Sequence, residues 1–136
     1  MNAKILLATL AGTVAFFIMG FLSFVLMEDV FVANLGSATG VMKDPPAYWA
    51  LILGNVLLSA LIAIIFGYWA QIKTFSGGLR AGALIGLLMT GGFDLLYYGS
   101  TNVMKLNGVV IDIVSYVIIT AIVGGVVAWV LGRDSK

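Results

Sequence analysis

The chain reads as four long apolar runs separated by short polar stretches. They lie near Ile5–Met27, Trp49–Ile72, Leu79–Met104 and Val109–Leu131. Each is long enough to cross a hydrocarbon core of ~30 Å with roughly 20 helical residues. A transmembrane barrel would instead show shorter segments of strict apolar/polar alternation. The pattern therefore predicts an all-α fold, a four-helix transmembrane bundle forming a single domain over residues 1–136. The first run exceeds the ~7–15 apolar residues of a secretory leader and is read as a retained span.

The connections refine this outline. Residues 28–48 form the longest one, with "GSATG" and the breaker "KDPP"; Pro45 and Pro46 end any preceding helix and position the next. "KTFSGG" (Lys73–Gly78) and "KLNG" (Lys105–Gly108) are short turns, which make consecutive helices antiparallel neighbours. With the N-terminus in the cytoplasm, the inner side holds Lys4, Lys73, Arg80, Arg133 and Lys136, and the outer side only Lys43 and Lys105, beside Glu28, Asp29 and Asp44. The positive-inside rule then places both termini in the cytoplasm and 28–48 outside. Tyr48, Trp49, Tyr68, Trp69 and Trp129 fall near span ends, where amphipathic rings prefer to lie. "AGTVAFFIMGF" and "AGALIGLLMTG" echo one another faintly, as a duplicated hairpin would.

The polar positions inside the runs are not scattered. Stepping by four keeps to one helix face. Span three gives Gly82, Gly86, Thr90, Asp94, Tyr98, with Thr101 close to the same stripe. Span four gives Asp112, Tyr116, Thr120, Gly124, and span two Asn55, Ser59, Ala63, Gly67. All three faces are polar toward the outside and small toward the inside. At a rise of ~1.5 Å per residue, Asp94 and Asn55 lie roughly 10 Å below the outer surface and Asp112 about 5 Å. Asn55, Asp94, Tyr98, Thr101, Asn102, Asp112 and Tyr116 are therefore the candidate polar cluster. Gly12, Gly20, Gly67, Gly82, Gly86 and Gly124 are the candidate helix-packing positions, with Gly82 and Gly86 in a GxxxG pattern that lets backbones approach closely. These glycines either pack the bundle itself or make homo-oligomer contacts.

A carboxylate within a span normally faces a partner or a cavity. Asp112, just after "NG", reads either as a first-turn acid favourable to the helix dipole or as part of the cluster. Asp94 lies mid-helix. It reads either as a hydrogen-bond partner for Asn55, Tyr98 or Asn102, or as a protonatable or cation-binding group.

Composition narrows the chemistry. Of 136 residues, 62% are hydrophobic and 10% charged, against about 25% charged in an ordinary soluble domain; lipid is the solvent for the excess. Cysteine and histidine are both absent, which removes disulfides, thiolate catalysis, haem ligation through either residue and ordinary zinc sites. A net charge of +1 gives no basic field for nucleic acid. Neither a Ser–His pair nor a phosphate-cradling loop is present, so an enzyme is the least favoured class, and no cofactor or metal is expected.

"FDLLYYGSTN" and "VIDIV" resemble the last two spans of small bacterial four-span membrane proteins of unknown function. The matching positions are Asp94, Thr101, Asn102 and Asp112. The resemblance implies a multi-pass protein of the bacterial inner membrane and supplies no catalytic residue. Three functions remain in play: a structural or accessory subunit packing with itself or with a larger membrane complex; a small proton- or cation-coupled transporter or channel using Asp94 and Asp112; and a binder of a lipid or quinone-like molecule between the helices.

Overall fold

A computed structural model describes residues 2–133; Lys136, counted above among the inner charges, lies outside the described residues. Four helices follow one another: α1 Ala3–Ala33, α2 Tyr48–Ile64, α3 Phe75–Ser100 and α4 Leu106–Gly132. All four are long and apolar enough to cross a membrane, α2 together with its wider-wound extension Ile65–Trp69.

The ends of the helices follow local chemistry. Asn2 caps α1, its side-chain oxygen accepting from the N–H groups of Lys4 at 2.8 Å and Ile5 at 3.1 Å. Thr74 caps α3 in the same way through the N–H of Gly77, satisfying donors that a helix start leaves free. α1 runs six residues past the apolar run, through Glu28 and Asp29 to Ala33, because acids beyond the hydrocarbon remain hydrated and do not break a helix. α2 ends in a π-helical turn, in which the N–H of Ala70 reaches the carbonyl of Ile65 at 2.7 Å. Gln71 follows at φ 52°, and its side chain donates to the carbonyl of Gly67. α4 begins at Leu106, so Asn107 and Gly108 belong to its first turn and the α3–α4 connection is 101–105.

Several hydroxyls inside the spans are satisfied within their own helices, as a medium without water favours. Thr9, Thr13, Ser115 and Thr120 each donate to the carbonyl four residues earlier. Ser59 differs: it is fully buried, and its Oγ has no hydrogen-bond partner among the described residues.

α4 organises the bundle. It packs along α3 and α1 and touches α2, while α1 packs along α2. The apolar core joins Ile5, Ala8 and Phe16 of α1 with Ile62, Ala63 and Phe66 of the second span, and with Val123, Val127, Ala128 and Leu131 of α4. α3 contributes mostly backbone: its buried residues are Gly78, Gly82 and Gly86. Gly78 lies against Gly124 and Ala128, Gly82 against the Thr120 backbone and Gly124, and Gly86 against Thr120 and the Tyr116 carbonyl. Outward faces are apolar, with Leu26 77% and Leu96 70% exposed, as lipid contact demands.

Beyond the polar ends of α1 and α3, the two connections are joined. Leu35 and Met104 form an isolated antiparallel bridge. The N–H of Gly36 donates to the Val103 carbonyl at 2.9 Å, that of Ala38 to the Asn102 carbonyl at 3.0 Å, and that of Lys105 to the Asn34 carbonyl at 2.9 Å.

Candidate functional site

The close approach of α3 to α4 determines what their polar ends can do. With glycine backbones in contact below, the faces above them are held against one another. Asp94 lies six residues before Ser100, the last residue of α3, and Asp112 six residues after Leu106, the first of α4. Both are thus about 9 Å from the turn at the helical rise of ~1.5 Å. The sequence estimate placed Asp112 shallower; the earlier start of α4 corrects it. The same shift removes the first-turn reading, since no acid occupies the first turn of α4.

The two carboxyl groups meet within hydrogen-bonding reach, and Tyr116 lies close to both. Tyr116 is one turn deeper on α4 and stacks near Phe16 of α1, with ring centroids 6.5 Å apart. Asp94 Oδ2 is buried and has no hydrogen-bond partner among the described residues.

Beside the pair is a recess of about 90 Å³ lined by Asp94, Tyr97, Tyr98, Thr101, Val103, Met104 and Val109. Asp94, Tyr98 and Thr101 thus share one space, although the Thr101 hydroxyl is already committed to the Tyr97 carbonyl at 2.7 Å. Asn102 takes part through its backbone carbonyl, which accepts from Ala38, and is not among the lining residues. Asn55 sits half-buried on α2, and among the described residues no hydrogen bond joins it to the pair. Tyr97, Val103, Met104 and Val109 were not singled out by the four-residue stepping. Tyr97 lies at the end of α3, Val109 in the first turn of α4, and Val103 and Met104 in the connection between them.

Below the pair the interior closes. The space where all four helices meet is about 20 Å³ and lined mainly by apolar groups, including Phe16, Leu58, Ile62 and Ile85, with Thr90 and Thr120 at its edge. Among the described residues no third acidic or imidazole group joins Asp94 and Asp112, so the pair offers fewer protein oxygens than a dedicated cage for a hard cation. The amine of Lys105 is directed to the Ala33 carbonyl at 3.3 Å.

The candidate packing glycines divide. Gly12 lies against Val127 and Ser59, Gly67 against Ile5 and Leu131, and Gly82, Gly86 and Gly124 form the α3–α4 contact; Gly20 has nothing within 4 Å.

Four such helices around one core fit a small multi-pass integral membrane protein. No family model matches the chain, and no curated protein or solved structure shows significant similarity to it.

Proposed function

We propose that this protein is a structural or accessory subunit of the bacterial inner membrane, packing with a second copy or with a larger membrane complex. The observation that carries this reading is the distribution of small residues. Gly78, Gly82 and Gly86 are consumed inside the molecule, whereas Gly20 on α1, Gly54 on α2 and Gly92 and Gly99 on α3 have open space around them. Gly92 and Gly99 are seven residues apart, on one face of α3 together with Leu95 and Leu96, and α3 is the least buried of the four spans. Open small-residue faces of this kind suit close approach by another transmembrane helix. The narrow apolar interior favours the same reading, because a conducting path needs polar groups along its length.

The proposed topology has antiparallel neighbours and both termini in the cytoplasm. The order of the α3–α4 contacts supports the first part, since Gly78, Gly82 and Gly86 meet progressively earlier residues of α4. The Lys and Arg distribution supports the second. Ser37 and Ser76 are both exposed, and the chain has no cysteine. In intact cells an impermeant thiol reagent is expected to label Ser37→Cys and to miss Ser76→Cys. The opposite labelling would invert the assignment.

Cysteine at Gly92 tests the assembly. Oxidative cross-linking in native membranes should trap Gly92→Cys in a dimer or on another membrane protein. Recovery as a monomer surrounded by lipid alone would reject a subunit role for this face.

The carboxyl pair favours a second reading, a proton- or cation-coupled carrier in which Asp94 and Asp112 hold the coupling ion. Flux into proteoliposomes that Asp94→Asn abolishes, with the fold retained, would move the assignment there.

A further inference from the structure

The end of the bundle far from the carboxyl pair carries a different chemistry. There the start of α1, the end of the second span, the start of α3 and the end of α4 converge. Gly67 packs against Ile5 and Leu131, and Gly132 against the backbone carbonyl of Lys73. The backbone N–H of Asn2 donates to the Tyr68 hydroxyl at 3.4 Å. Between these elements is a cavity of about 90 Å³, lined by Asn2, Lys4, Ile5, Gly67, Lys73 and Leu131.

We infer that this cavity binds the phosphate of an anionic phospholipid. Its floor is apolar, since Ile5 and Leu131 are buried. Its rim carries two exposed lysines from separate elements, whose flexible stems let both ammonium groups converge on one anion. The helix start does not carry the recognition, because the Asn2 side chain already occupies the N–H groups of Lys4 and Ile5. Arg80 and Arg133 add charge nearby, and the Arg133 guanidinium lies over the Trp129 ring, 4.8 Å from its centroid. Among the described residues no acid lies at this end; Asp134, outside them, is the one acid that follows in the sequence, before Lys136.

Two features select a lipid phosphate over a free one. Exposed Tyr68, Trp69 and Trp129 belong to the same end, and such rings settle at the level of the headgroups. Leu6 and Leu7, next to Ile5 on α1, are exposed apolar residues, so acyl chains can cover what an inorganic ion would leave wet. Basic pockets between spans are recognised headgroup sites. The inference holds for either orientation of the protein.

The test uses the full chain in mild detergent, titrated with phosphatidylglycerol, phosphatidylcholine or inorganic phosphate and read by native mass spectrometry. Phosphatidylglycerol should be retained in preference to phosphatidylcholine. Lys4→Gln/Lys73→Gln should weaken that retention about tenfold or more, as the loss of two lysine contacts implies. Lys4→Arg/Lys73→Arg should keep it, and Lys43→Gln/Lys105→Gln, away from this cavity, should leave it unchanged. Equal retention of the two lipids would overturn the inference, as would equal losses in the two Gln double variants. Displacement of phosphatidylglycerol by millimolar phosphate would reassign the cavity to a free anion. A melting temperature unchanged in zwitterionic nanodiscs verifies that the Gln variants are folded.

Discussion

Gly82→Leu is expected to drive α3 away from α4 and to lower stability by about 3 kcal/mol or more, the upper range of overpacking in a filled interior. A Cβ at this position would meet the backbone carbonyl of Thr120, with the Gly124 Cα at 3.1 Å. Backbone cannot rotate aside as a side chain can, so the helices must separate. Gly86→Leu should act in the same direction. There the obstacle is the Thr120 side chain, whose hydroxyl is held to the Tyr116 carbonyl at 2.7 Å. Gly91→Ala is the matched control: its Cβ would meet only Ile113 Cδ1, at 4.0 Å, and the residue gains up to about 1 kcal/mol of helix propensity. Thermal melting and elution volume in mild detergent distinguish these outcomes. A Gly82→Leu protein that melts and elutes like the parent would mean that the α3–α4 contact is not the one described.

The second large effect is expected at the carboxyl pair. Asp94→Leu leaves the Asp112 carboxyl facing a side chain that can neither donate nor accept, at a cost of roughly 1–3 kcal/mol for a polar group stranded in an apolar setting. Asp94→Asn should stay close to the parent, because the amide can donate to Asp112. Asp94→Leu/Asp112→Leu should recover most of the loss, since removing both partners leaves nothing stranded. Melting of the three variants against the parent completes the cycle. A double variant as unstable as the sum of its single changes would mean that the two aspartates do not depend on one another.

Much of this architecture is legible in the chain because lipid imposes so few choices. Four runs of sufficient length predict four helices, and the steps of four place Gly82, Gly86, Thr120 and Gly124 on facing surfaces. The same steps bring Asp94 toward Asp112 and Tyr116. What the steps do not encode is which faces point at one another across the whole bundle. Asn55 follows the same grading but sits on α2, whose main partner is α1, so it does not join the pair. Gly20 shares a stripe with Gly12 yet faces outward, because eight residues at 3.6 per turn rotate the stripe by about 80°. Helix limits slip for a different reason. Hydropathy marks where the chain is dry, whereas the helix stops where backbone groups find other partners. Thus α1 continues to Ala33, and α4 begins at Leu106 rather than Val109. The joining of the 34–47 and 101–105 connections leaves no local signature, since "NLGSATG" has the composition of any turn.

That junction has a consequence for the order in which the protein is made. The N–H groups of Gly36 and Ala38 take their acceptors from Val103 and Asn102, more than sixty residues later in the chain. During synthesis α1 and α2 therefore exist for a time with the segment between them unlatched, the Gly36 and Ala38 N–H groups left to water. Arrival of the second hairpin closes the segment and binds the two halves beyond the polar ends of their helices. The first half of the chain finishes folding only when the last half has been delivered.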